Sequence, residues 1–270
     1  MLARKEAHQM PREIPRGKNR LPYDLKVGSE IHGFKVTSIE KVPDFDIEAF
    51  ELEHEATGTR WMHLDSSDLD NTFAILLRTP PDDHTGKSHI LEHLALCGSK
   101  HYPIRDPFFN MIKRSLNTFM NAMTGQDYTL YPFSSQNAQD FKNLMSVYTD
   151  SVFLPKLNYY DFRQEGHRLE FNEPEDASSG IQRKGVVFNE MKGVVSQTDR
   201  AFLYRLNENL FKKSQYHWNS GGDPKYITDL SYQELVEFHE KYYHPSNAKF
   251  FTYGDLDFTH HLKFVEEQVL

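Results

Sequence analysis

His89, Glu92 and His93 fall in the run His89-Ile90-Leu91-Glu92-His93, and their types and spacing could do chemistry. On an α-helix, residues four apart project from one face, so the two imidazoles can reach a common point. Glu92, three residues after His89, shares that face. Two neutral imidazoles are good ligands for a divalent metal such as zinc, and a carboxylate beside them can take a proton from water. Ile90 and Leu91 would then face the core. The other reading of the same spacing is a surface helix carrying two solvated histidines.

The order of these residues inverts the commoner His-Glu-x-x-His pattern and matches the inverzincin signature. Two histidines do not close a hydrolytic zinc site, which needs a third protein ligand and one position left for water. A carboxylate or histidine on another element must supply it. Glu190, in Gly185-Val186-Val187-Phe188-Asn189-Glu190-Met191-Lys192-Gly193, is the leading candidate, because an unpaired charge in an apolar helical stretch is costly. A Glu190 paired with Lys192, or exposed at a helix end, is the alternative. Cys97, just past the first helix, has no thiolate-activating group near it in sequence and reads as a small buried filler.

Several elements must position these residues. Phe34 to Val42, Ile47 to His54 and Arg60 to Leu64 read as strands, the last two joined by a hairpin at Thr57-Gly58. Thr72 to Arg78 is a continuous apolar run, as expected of a strand buried on both faces. Ser88 caps a helix through Leu96, closed by Gly98, and Asp106-Pro107 opens a second. Asn117 to Met123 and Asp127 to Phe133 form a strand pair around Gly125. Helices are expected over 138–153, 159–170, 186–197 and 199–211. The capping box Ser231-Tyr232-Gln233-Glu234 starts another through Tyr243, and Ala248 to Tyr253 supplies a returning strand. This order predicts an α+β fold, a mostly antiparallel sheet with helices packed on one face. Residues 1–25, with Pro11, Pro15 and Pro22 among charges, read as an extended lead-in, and 26–270 as one domain. Gly221-Gly222-Asp223-Pro224 reads as a turn, and His217, His260 and His261 as solvated.

Composition narrows the function. A chain of 270 residues with 38% hydrophobic and 13% aromatic residues can build a real core. The formal net charge of −8 argues against a nucleic-acid binder and suits basic partners. A single cysteine excludes an internal disulfide. No apolar run approaches the roughly 20 residues that span a bilayer, so no membrane role is expected. The first twenty residues are basic but lack Ser and Thr and include Glu6 and Glu13, a poor match to a transit peptide.

The run His89 to Ser99, with Tyr102-Pro103 and Arg105-Asp106-Pro107-Phe108-Phe109, resembles the M16 metallopeptidases of the pitrilysin type, and within them the presequence protease branch. Ser115 to Ala122, Asp127 to Phe133, Gln164-Glu165-Gly166, the Glu190 segment, Ser220 to Pro224 and Tyr243 to Ala248 extend the likeness over most of the chain. The resemblance implies that His89, His93 and Glu190 bind one zinc ion and that Glu92 is the general base. It implies that Phe119, Met120, Asn121, Ala122 and Met123 form an edge strand to which a substrate peptide adds. Many pitrilysin-type members carry a Glu seven residues before the ligand Glu; here that position is Arg183, as is usual in the presequence branch. Family members are longer, with two halves closing around the peptide, so the partners implied are peptide substrates and a missing C-terminal half. The implied activity is a zinc metalloendopeptidase degrading short peptides such as cleaved targeting presequences in the mitochondrial matrix. M16 relatives also serve as non-catalytic scaffold subunits, which is the alternative.

Overall fold

The structure is a computed structural model that describes residues 23–270, so nearly all of the expected lead-in lies outside the described residues. Its frame is a nine-stranded sheet. Strands β1 (Glu30–Ile31), β2 (Phe34–Val42), β3 (Ile47–His54) and β4 (Arg60–Asp65) form an antiparallel meander. Then come β5 (Asn71–Arg78), β6 (Asn117–Met120), β7 (Met123–Thr124) and β8 (Tyr128–Ser135). A separate hairpin is made by β9 (Arg168–Glu173) and β10 (Asp176–Lys184), and β11 (Ala248–Gly254) returns to the main sheet.

β11 inserts between β4, to which it is parallel, and β5, to which it is antiparallel, giving the order β1-β2-β3-β4-β11-β5-β8-β6 with β7 also on β8. That is the expected mostly antiparallel sheet. β5 is central; its Phe73, Ile75 and Leu77 are fully buried on the helix-covered face, while Thr72 and Leu76 on the other face are half-buried, so the strand is not buried equally on both faces. Phe73 and Ile75 on β5 pair with Phe133 and Tyr131 on β8 and, like Phe250 and Trp61, are buried. The Trp61 ring stacks on Phe250 at a 5.1 Å centroid separation. The opposite sheet face exposes Glu51, Glu53, Arg60, Met62 and Lys249, so the helices cover one face only.

Those helices are α1 (Lys87–Ala95), α2 (Pro107–Ile112), α3 (Ala138–Phe153), α4 (Tyr159–Glu165), α5 (Val186–Val195), α6 (Thr198–Leu210), α7 (Pro224–Ile227), α8 (Tyr232–Tyr242) and α9 (Phe258–Gln268). Phe141 and Tyr148 of α3 pack edge-on and tilted against Phe133, which fastens this helix across the sheet. Ser231 and Glu234 form the expected capping box of α8. Among the described residues no helix is long and apolar enough to cross a membrane.

Four local expectations fail for identifiable reasons. The helix expected over 159–170 stops at Glu165, because Gly166 caps it and the period-two pattern from Arg168 pairs with β10 instead. The strand expected over 117–123 is broken at Asn121-Ala122 into β6 and β7, although the Asn121 amide still donates to the Pro132 carbonyl. Ser88 does not cap α1; Gly86 does, in the left-handed region, and Ser88 lies inside the helix. His261 is buried against Phe141, and His217 is half-buried with Nδ1 on the Glu208 carbonyl.

Candidate active site

α1 follows central strand β5 and so projects from the middle of the sheet. Its start is fixed by Gly86, whose φ of +71° and close approach to Gly221 and Gly222 leave no room for a Cβ. Lys87 is clamped between Asp82 at 2.6 Å and Asp83 at 2.7 Å. Ile90, Leu91, Leu94 and Ala95 are buried in the core, as the periodicity requires, leaving His89, Glu92 and His93 toward one cavity of about 850 Å³. The histidine rings are 5.0 Å apart between centroids.

α5 brings Glu190 to them. Its Oε2 lies 3.7 Å from His89 Nε2 and 4.0 Å from His93 Nε2. One ligand atom from each of the three residues can be chosen so that all lie within 4.8 Å of one another. Glu190 is 49% exposed on the cavity wall, so the burial cost that drew attention to it in sequence does not operate. The apolar residues of that stretch, Val187, Phe188 and Met191, face the core, and Glu190 points the other way.

The histidine orientations are held from behind. His89 Nδ1 donates to the Gly221 carbonyl at 3.1 Å, and Ser88 donates to the Ser220 carbonyl at 3.0 Å. His93 Nδ1 sits 3.0 Å from Glu165 Oε2. Both rings therefore present Nε2 to Glu190. The donor set, two imidazole nitrogens and a carboxylate with their other ring nitrogens occupied, fits a zinc ion of the hydrolytic kind. Burial by itself would lower the His93 pKa; the hydrogen bond it donates to Glu165, with the charges of Glu92, Glu165 and Glu190, outweighs it and holds the value above that of an ordinary imidazole.

Glu92 is 7% exposed and accepts a hydrogen bond from the Thr124 hydroxyl at 2.6 Å, so β7 sets its carboxylate. Asn121, Ala122 and Met123 line the same cavity, whereas Phe119 is exposed and Met120 buried outside it. β6 and β7 pair only with β8 among the described residues, which leaves their outer side as the sheet edge, with β7 and the Asn121-Ala122 break facing the cavity. Burial, then the charges of Glu165, Asp161 and Asp106, push the Cys97 thiol well above its usual pKa, so it is no nucleophile. Arg183 lies on β10, paired with Leu169.

Three contributors were not assigned from sequence. Thr124 is a polar residue with no local pattern to mark it. Glu165 and Gly221 entered only within the family-like runs Gln164-Glu165-Gly166 and Ser220 to Pro224, Gly221 also within a turn, with no role at the site given to either. The Gly-Gly dipeptide carried a signal all the same, since glycines mark places where backbone approaches backbone.

The comparisons with known proteins agree with this geometry. The family described as Insulinase (Peptidase family M16) matches residues 78–184, and Peptidase M16 inactive domain matches residues 229–269. The chain is 51% identical over 257 residues to a mitochondrial presequence protease of Danio rerio, covering 94% of this chain and 25% of that protein. It is 53% identical over 231 residues to a mitochondrial presequence protease of Candida albicans, covering 85% of this chain and 22% of that protein. The crystal structure of pitrilysin superposes with a TM-score of 0.68 at 18% identity over 88% of this chain and 24% of pitrilysin, a likeness of fold. The chain thus spans about a quarter of the length of the curated relatives it matches. With the inverted motif on α1, the matched domains and relatives half-identical over most of its length, this chain belongs to peptidase family M16.

Proposed function

We infer that this chain is the catalytic domain of a zinc metalloendopeptidase that degrades short, unstructured peptides, cleaved mitochondrial presequences among them. The observation that carries the reading is the convergence of His89, His93 and Glu190 beside Glu92 in one cavity. His89 and His93 would hold the ion through Nε2, with the Glu190 carboxylate as third ligand. Zinc held there would supply Lewis-acid polarisation of the scissile carbonyl and acidify water. Glu92 takes the proton from the attacking water and delivers it to the leaving amine. Thr124 keeps the Glu92 carboxylate oriented for that transfer. A peptide lying along Phe119 to Met123 would add as a strand, its backbone bonded irrespective of side chain. Acidic groups at the cavity (Asp106, Glu165, Glu190) suit basic peptides.

The names of the relatives support a mitochondrial location, and presequence removal points to the matrix. Residues 26–270 act as one domain, a division favoured by the way β11 returns into the middle of the sheet, with 1–25 as a lead-in. Because relatives are about four times longer, the remainder of such a polypeptide would close the cavity and position substrate, and this chain alone would bind zinc but turn over slowly.

The test is Glu92→Gln in a polypeptide extended to the relatives' length, with zinc content measured beside cleavage of a basic, unstructured peptide. One zinc per chain retained with cleavage down about 10²- to 10⁴-fold is expected. Unchanged cleavage would sink the assignment of the base, and absence of cleavage by the unsubstituted polypeptide would favour the scaffold alternative. Fast turnover by the 270-residue chain alone would sink the need for the remainder.

A further inference from the structure

An imidazole has two ring nitrogens, and a histidine can present only one of them usefully to an ion. On α1, each ring must turn its Nε2 toward the same point. For His89 the acceptor behind the ring is a backbone carbonyl, that of Gly221. For His93 it is a side chain from a different helix. Glu165 is the last residue of α4, and its Oε2 lies 3.0 Å from His93 Nδ1. A carboxylate accepts, so Nδ1 must carry the proton and Nε2 is left toward Glu190.

Glu165 is only 8% exposed, and burial of a carboxylate is unfavourable unless it is paired. Its other oxygen receives the Gln164 side-chain amide at 3.1 Å. Among the described residues no Lys or Arg is paired with it, and its ionic partner is His93. It also stands near other acids, with Glu190 and Asp106 in the same cavity wall. Without a cation, that grouping is self-repelling.

The backbone is arranged to deliver it. The Gly166 amide closes α4 onto the Phe162 carbonyl at 2.8 Å. Gly185, the residue before α5, lies so close that a Cβ there would run into the Gly166 carbonyl. α4 thus ends, and α5 begins, at one backbone contact, with Glu165 just before it on one helix and Glu190 in the opening turns of the other.

We propose that Glu165 is a positioning residue for the metal centre, fixing the His93 ring so that Nε2 faces the ion and raising its strength as a ligand. The proposal rests on the zinc reading of His89, His93 and Glu190. In this role Glu165 acts on the ion through the His93 ring.

The experiment uses this chain with Glu165→Gln and Glu165→Ala. Zinc affinity is read by competition with a chromophoric chelator, ligand geometry by the visible spectrum of the Co²⁺-substituted form, and stability by melting of the metal-free protein. Glu165→Ala should weaken zinc by about 10- to 100-fold and alter the Co²⁺ bands. Glu165→Gln keeps an acceptor oxygen without the charge and should fall between it and the unsubstituted chain. The metal-free Gln variant should still fold and melt cooperatively, because the amide oxygen of Gln can accept from His93 Nδ1 in place of the carboxylate. Zinc affinities of both variants within about twofold of a zinc-binding parent overturn the proposal, and so does a loss of affinity matched by a melted metal-free Gln variant. Absence of zinc binding by the unsubstituted chain overturns the metal reading as well, a result distinct from either.

Discussion

Replacing Gly185 by alanine would put a methyl group against the carbonyl of Gly166, a backbone atom that no rotamer change can move aside. A Cβ there would stand 2.0 Å from the Gly166 oxygen, so the two backbones must part by about 1.3–1.6 Å to reach an ordinary C···O separation. Overpacking of this kind costs about 1–3 kcal/mol. The geometric consequence is larger than the energetic one, since functional constellations tolerate only about 0.5 Å of displacement. Glu190 rides on the helix that begins at the next residue, and its Oε2 is already 3.7 and 4.0 Å from the two imidazoles. Gly185→Ala is therefore expected to lower zinc affinity by about tenfold or more as well as stability. Gly193→Ala, on the same helix, is the matched control, because nothing lies within 4 Å of a Cβ there. Removing a helical glycine should raise stability by about 0.5–1 kcal/mol and leave zinc affinity alone. Chelator competition and urea denaturation of the two variants make the comparison. Parental affinity and stability in Gly185→Ala would refute the contact between α4 and α5 as the device that sets Glu190.

Ser231→Ala removes the hydroxyl that accepts from the Glu234 amide at 3.2 Å, and should destabilise the fold by about 1 kcal/mol, read as a lower urea midpoint with an unchanged slope. His63 is fully buried, and burial, opposed by Asp65, lowers its pKa from 6.5 to about 4. The unfolded chain therefore takes up that proton at higher pH than the folded one. The stability this neutral ring contributes is fully present above pH 6.5 and is lost as pH falls toward 4, by about 3 kcal/mol at most. An NMR titration that places the His63 ring at or above 6.5 would contradict this.

Much of the fold was legible because it is written in short-range periodicity. Phe34 to Val42 and Ile47 to His54 were bounded as the structure has them, since alternating burial on a one-sided sheet fixes both face and length. The α4 region was misread because the apolar spacing of Tyr159 and Phe162 runs without a gap into the period-two pattern of Leu169 and Phe171. Only pairing with β10 makes the second pattern a strand, and that pairing leaves Leu169 62% exposed. His261 was misplaced for a similar reason: a polar type near the chain's end says nothing of the Phe141 ring packed on it.

His89, Glu92 and His93 were determined by the sequence alone, because one turn of helix fixes their relation whatever surrounds it. Glu190 could be nominated there but for a reason that the structure does not bear out, since it is half-exposed rather than buried. What tertiary structure decided was everything between elements: that α5 meets α1, that Thr124 holds Glu92, and that Gly221 and Glu165 stand behind the two imidazoles. These contacts join residues far apart in the chain, and no local period encodes them. They arise only when the core beneath the helices packs and two glycines let the backbones touch.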